Sequence, residues 1–198
     1  MARGKPLLFL PVFLGVALWG AEPQAEGVPN FHQVDQHVYR GAQPLDAGWA
    51  SLAKLGVKTV IDLREQGEHP WQAEQKAVEA AGMRYVSVPL RGMEAPPDHE
   101  ITEVLTMLES SSDGPVFVHC RRGKDRTGTV IACYRIEHDH WKNQKALDEA
   151  RSLGMSWIEL AMRRYILAFK PGAEVLRAGA AVTLPVVAPS AVDALKDR

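Results

Sequence analysis

Pro115-Val116-Phe117-Val118-His119-Cys120-Arg121-Arg122-Gly123-Lys124-Asp125-Arg126-Thr127-Gly128 is the stretch from which the fold is read. An apolar run meets a short glycine-bearing turn and then a segment of helical character from Thr127 to His138. A buried strand handed to a helix through such a turn leaves several backbone N–H groups without partners, converging on one point and backed by the positive end of the helix dipole. An oxyanion fits there. Cys120 opens the turn, where those N–H groups would hold it as a thiolate. Arg126 closes it, because a planar guanidinium takes two phosphate oxygens at once where lysine offers only a point charge.

Working outward, Phe31 to Tyr39 alternates weakly and reads as one or two edge strands. Asp46 caps a helix running through Leu55 and stopped by Gly56. Val57 to Leu63 is a buried strand, Glu68 to Ala81 a helix ended by Gly82, and Arg84 to Val88 an alternating strand. Asp98 to Ser110 is a helix with Ile101, Val104, Leu105 and Leu108 on one face. After the central strand, helices are predicted over 127–138, 143–153 and 157–169. Strands alternating with helices predict an α/β fold with a mostly parallel sheet of about four to five strands flanked by helices, whose ligands bind at the carboxyl ends of the strands. Cys120 falls at such an end.

A chain of 198 residues, 46% of them hydrophobic, buries one ordinary core, so a single domain over 30–170 is expected, acting as a monomer. The net charge of −1 provides no general attraction to nucleic acid, which is excluded as a partner. Locally, Arg121, Arg122, Lys124 and Arg126 crowd one turn, with Arg91 placed to join them, and favour densely anionic substrates.

Arg3 and Lys5 precede an uncharged, Leu-, Val- and Phe-rich stretch from Pro6 to Ala21, the pattern of a secretory signal over 1–21. It is short for a transmembrane helix. An uncleaved N-terminal anchor facing outside the cytoplasm is the alternative, and the only membrane contact expected. Residues 22–29 read as a linker, and 171–198, without clear periodicity, as a tail. Cys133 shares a spacing with Val130 and Ile136 that predicts a buried helix face, leaving Cys120 as the lone functional thiol.

His119, Cys120, Gly123, Arg126, Thr127 and Gly128 meet every fixed position of HCxxGxxR[ST]G and so resemble the signature of the cysteine-dependent protein tyrosine phosphatase superfamily. Val38-Tyr39-Arg40-Gly41-Ala42-Gln43-Pro44 and Thr59-Val60-Ile61-Asp62-Leu63-Arg64 look like the small bacterial members of its dual-specificity branch. The resemblance implies that the Cys120 thiolate attacks phosphorus to give a cysteinyl-phosphate. Arg126 and the backbone from Arg121 through Arg122, Gly123, Lys124 and Asp125 would hold the phosphoryl oxygens, and Gly128 would open the helix beneath them. His119 would point away from substrate and order the cysteine, and Thr127 would donate a hydrogen bond to the sulfur. The general acid is expected between Pro89 and the next helix, with Asp98 the first candidate although it also suits an N-cap. Asp125, placed immediately before the signature arginine as in some lipid-directed relatives, is the second, and Glu94 the third. No metal or other cofactor is called for. His138-Asp139-His140 reads as a helix C-terminus and not as a metal site. The function implied is hydrolysis of phosphomonoesters on phosphotyrosine or phosphoserine/threonine proteins, phosphoinositides or inositol polyphosphates. The alternative is a phosphate-recognition or redox-sensing module without turnover.

Overall fold

The structure, a computed structural model, describes residues 23–110 and 114–172. The signal expected over 1–21 and all of the tail beyond Gly172 lie outside the described residues. Five strands, β1 (His32–Gln33), β2 (Val38–Ala42), β3 (Thr59–Asp62), β4 (Arg84–Ser87) and β5 (Val116–Cys120), form one sheet in the order β1-β2-β5-β3-β4. Only the β1–β2 pair is antiparallel. The helices are α1 (Asp46–Lys54), α2 (Trp71–Ala80), α3 (Asp98–Glu109), α4 (Asp125–Glu137), α5 (Asn143–Ser152) and α6 (Leu160–Ala168). The α/β architecture with a mostly parallel sheet is the one predicted.

Two apolar layers follow from the two-residue period of the strands. Val116, Val118 and Cys120 of β5 join Ile101, Val104, Leu105 and Leu108 of α3 and Val130 and Cys133 of α4 in one core. Phe117 faces the other way, into a second core with Trp49 and Leu52 of α1 and Val78 of α2. His119 shares the face of Phe117 and stacks on it at 5.5 Å between ring centroids. Nucleophile and neighbouring histidine therefore point to opposite sides of the sheet because they are adjacent. Cys133 is fully buried, as its spacing predicts, and burial pushes its thiol well up from the ordinary range.

Several boundaries differ from expectation. Of the strands in the 31–42 stretch, only β1 is an edge strand. β2 is interior, with β5 on its other side, and its five residues are all buried. The helix expected from Glu68 begins only at Trp71, after a separate 3-10 turn at Gln66–Glu68. The cause is Pro70, which forces the preceding His69 into an extended conformation (φ −165°, ψ 162°). Asp46 and Asp98 do not cap. Each is the first helical residue, behind Leu45 and Pro97, where an acidic side chain still favours the dipole. The stretch read as a linker is part of the fold from Pro23 on. Ala25 and Val28 are buried against the α1 face, and Gly27 O accepts the N–H of Leu45.

Candidate active site

The turn between β5 and α4 rests on β2. Gly123 adopts φ +66°, and a Cβ there would overlap the Gly41 carbonyl, so no larger residue fits. Its own carbonyl accepts from Arg40 Nη2 (2.8 Å) and Asn30 Nδ2 (2.9 Å). Gln43 N–H donates to Arg121 O at 3.4 Å. With carbonyls turned down onto β2, the N–H groups of residues 121–126 donate to no backbone carbonyl among the described residues. Those donors are thus left free of backbone acceptors at the turn.

Cys120 is 3% exposed at the bottom of a cavity also lined by Arg121, Arg122, Asp125 and Arg126 of the turn, Glu68, Gly92 and Met93 from β3–α2 and β4–α3 connections, and Glu159 and Met162 at the start of α6. Arg126 is paired in both prongs with Glu68, Nη2 to Oε2 at 3.0 Å and Nη1 to Oε1, and also donates to Leu90 O at 3.3 Å. Hydrogen bonding from Arg126 holds the Glu68 carboxyl below its usual range. The guanidinium is thus held in place by Glu68 and the Leu90 carbonyl.

A second layer of charge lies behind the turn. Arg40 is 1% exposed, its Nε and Nη1 have no hydrogen-bond partner among the described residues, and burial pulls its pKa down to about 10. It remains a cation at neutral pH and adds positive potential at Cys120. On the His119 side, Asp62, Arg64, Glu74 and His69 form a buried ion cluster. Arg64 donates to Asp62 Oδ1 and Oδ2 (each 2.9 Å) and to Glu74. His69 lies 2.8 Å from Asp62, and His119 Nε2 lies 3.0 Å from Glu74 Oε1. Burial alone would raise Asp62, yet hydrogen bonds and charge from Arg64, with the charge of His119, hold it down at about 2. Asp62, Glu74 and His119 offer ligand atoms within 4.8 Å of one another, but the Arg64 guanidinium already bridges both carboxylates where a cation would sit.

The predicted site residues divide. Cys120, Arg121, Arg122, Asp125 and Arg126 meet in the cavity. Gly123 and Lys124 lie outside its lining, Gly123 as the pivot on β2 and Lys124 with its stem against Gly154. Gly128 serves helix packing, since a Cβ there would lie 3.2 Å from Met155 and 3.5 Å from Ala150 on the α5 side. His119 does face away from the cavity, held by Glu74 and Phe117. Thr127 Oγ1 is buried with no hydrogen-bond partner among the described residues, so the expected bond to the Cys120 sulfur is not formed here.

Asp98 is not brought to Cys120. Its Oδ1 accepts from Tyr165 OH at 2.9 Å, it does not line the cavity, and its charge acts on Cys133, seven residues or roughly 10 Å along α4 beyond Arg126. Glu94 pairs with Arg91 at 3.6 Å. His138 and Arg135 both engage Asp139, at 2.9 and 2.7 Å. Sequence reading missed Asn30, Arg40, Glu68, Glu74 and Glu159. Of these only Arg40 carried a local signal, a cation in the otherwise uncharged strand Val38-Tyr39-Arg40-Gly41-Ala42.

This geometry recurs among known proteins. The family model described as "DSP-PTPase phosphatase fused to NAD+ Kinase" matches residues 11–165. The chain is 33% identical over 126 residues to the dual specificity protein phosphatase TpbA of Pseudomonas aeruginosa, covering 63% of this chain and 55% of that one. It is 28% identical over 144 residues to the inositol diphosphatase SIW14 of Saccharomyces cerevisiae, covering 66% and 50%. The chain thus spans about half the length of these curated relatives. A crystal structure of a cysteine-to-serine variant of P. aeruginosa TpbA in complex with pTyr superposes with a TM-score of 0.63 at 26% identity, over 82% of this chain and 94% of that one. With the family model matched across most of its length and the Cys120–Arg126 turn seated at the end of β5, the chain belongs to the DSP-PTPase family of cysteine-dependent phosphatases.

Proposed function

We propose that this protein hydrolyses phosphomonoesters without a metal ion, through a cysteinyl-phosphate on Cys120. The observation that carries this is the joint arrangement of Cys120 at the base of a cavity, unpartnered N–H groups around it, and Arg126 aimed across it by Glu68. Phosphoryl transfer asks little of a protein beyond position and charge neutralisation, and the turn supplies both from its own groups. The incoming phosphoryl group takes the N–H groups and Arg126. Cys120 Sγ attacks phosphorus, and water then releases phosphate. His119 acts from behind, fixing the end of β5 through Glu74.

The substrate class is a densely anionic phosphomonoester. One relative is named a dual specificity protein phosphatase and another an inositol diphosphatase, which supports phosphorylated substrates in general. Arg121 and Arg122 are exposed on the cavity wall, and Arg91 lies beside Gly92 and Met93, so charge beyond the reacting phosphate meets cations. The apolar stretch from Pro6 to Ala21 supports export from the cytoplasm. No helix among the described residues is long and apolar enough to cross a membrane.

Cys120→Ser tests the reading. Turnover of an aryl phosphate should fall by about 10³-fold or more while inorganic oxyanions still bind, because the donors and Arg126 remain. Wild type should keep full activity in chelator. A serine variant with substantial turnover, or loss of activity to chelator, would overturn the mechanism.

A further inference from the structure

With Asp98 of α3 held by Tyr165 of α6 and outside the cavity lining, the carboxyls that share the cavity with Cys120 are Glu68, Asp125 and Glu159. Their surroundings assign them different protonation states. Glu68 accepts both prongs of Arg126. Asp125 accepts Ser156 N–H at 2.8 Å on one oxygen and Arg122 Nη2 at 3.0 Å on the other. Arg126 thereby holds Glu68 as a carboxylate, and both oxygens of each residue are already engaged.

Glu159 is different. It immediately precedes α6, is 5% exposed, and its Oε2 is buried with no hydrogen-bond partner among the described residues. An ionised oxygen in that position is costly, whereas a protonated one is a donor waiting for an acceptor. Burial first, and then the charge of Asp125, push Glu159 upward, while Arg122, the Met93 backbone N–H and Arg126 pull in the other direction. Two carboxyls in one cavity, one fixed as an anion and its neighbour pressed toward the neutral form, is the pattern by which an acid is told from a permanent charge. Met93, opposite, is held at φ +65°, a left-handed conformation unusual for a non-glycine residue, so the wall facing Glu159 is itself constrained.

We propose that Glu159 is the general acid of the reaction at Cys120; this rests on the phosphatase reading above. As Cys120 Sγ forms its bond to phosphorus, the ester P–O bond breaks, its electron pair goes to the leaving oxygen, and that oxygen takes the Glu159 proton and departs as an alcohol. Glu159 is left a carboxylate. Water oxygen then bonds to phosphorus, the S–P bond breaks with its pair returning to sulfur, and a water proton restores Glu159. Proton and charge close over the cycle.

The experiment measures kcat of the full chain on a nitrophenyl phosphate, whose leaving group needs no proton, and on an alkyl phosphate, whose leaving group does. Glu159→Gln should slow the alkyl phosphate by about 10²-fold and the nitrophenyl phosphate by less than about tenfold. The decline of kcat at high pH on the alkyl substrate should vanish in the variant, because an acid works only while protonated. Asp98→Asn should slow both substrates by equal factors. Equal losses on both substrates in Glu159→Gln, or steep leaving-group dependence in Asp98→Asn, would overturn the proposal. If Glu159→Gln does not fold, the wild-type profile decides: a high-pH decline on the nitrophenyl phosphate as steep as on the alkyl phosphate overturns it, and a decline confined to the alkyl substrate supports it. Failure of the phosphatase reading looks different, since wild type would then turn over neither substrate.

Discussion

The floor and the rim of the cavity are built on opposite plans. Beneath the turn, Asn30 and Arg40 donate to the Gly123 carbonyl and Gly41 packs against Gly123, and behind His119 Arg64 joins Asp62 to Glu74. At the rim, Arg91 and Arg122 are mostly exposed, their side chains 72% and 65% accessible; Arg91 pairs with Glu94 at the surface and Arg122 reaches in to the buried Asp125. Buried charges in fixed geometry shape the electrostatics of the nucleophile and are costly to disturb, while exposed pairs contribute about 0–1 kcal/mol each and are free to change partners. On the proposed phosphatase reading, that difference would separate chemistry from selectivity, the floor fixing the surroundings of Cys120 and the rim meeting what reaches it.

Four measurements would sharpen or break that division. Gly123→Ala should have the largest effect. The new Cβ would overlap the Gly41 carbonyl, at a φ that L-residues rarely adopt, so the turn cannot form unchanged. Destabilisation of about 3 kcal/mol or more in urea melts, with loss of oxyanion binding, is expected. A well-folded, active alanine variant would show that the floor is not rigid.

The next concerns the ion cluster. Asp62 sits at about 2 in the folded protein, below the usual aspartate value near 4, so its pairing stabilises the fold at any pH above about 4 and is lost as pH falls from about 4 toward 2. The contribution is of order 2 kcal/mol. Melting temperatures measured across that window should drop steeply in wild type. Asp62→Asn, less stable at neutral pH, should show a shallower drop. Parallel curves for the two proteins would mean that the cluster does not drive acid unfolding.

Arg40→Met probes function apart from stability. Arg40 Nε and Nη1 are buried without hydrogen-bond partners among the described residues, but Nη2 donates to Gly123 O at 2.8 Å, so a methionine should cost about 1–2 kcal/mol in stability. The cation behind Cys120 would be gone, and kcat/KM should fall about tenfold with slower cysteine alkylation at fixed pH. A change in stability with no change in thiol reactivity would make Arg40 a packing residue. The smallest effect is expected at the rim: neutralising Arg121 and Arg122 together should lower kcat/KM several-fold more for an inositol polyphosphate than for an aryl monophosphate. Equal losses would remove the selective role of the rim.

Much of this was legible before folding. The strand, glycine turn and helix around Cys120 are contiguous, so local backbone geometry alone predicts an anion site there. The buried positions of α3 and the burial of Cys133 follow from helical spacing. Boundaries were less legible where one residue's backbone restriction overrode a longer pattern, as Pro70 did in splitting Gln66–Glu68 from α2. The acid was the least legible. Asp98 has the residue type and the right stretch of chain, but its carboxylate goes to Tyr165, whereas Glu159 lies in a segment that carries no signature.

By itself, then, the sequence determined the α/β layering, the oxyanion turn and its cysteine and arginine, because these depend on periodicities and on neighbours a few residues apart. Only the tertiary structure decided what surrounds them. Glu68 reaches Arg126 across 58 residues and Asn30 reaches Gly123 across 93, and no local pattern records a partner that chain topology brings in from that distance. Which carboxyls stay charged and which is pressed toward neutrality depends on burial and on the charges nearby, quantities that exist only once the chain has packed.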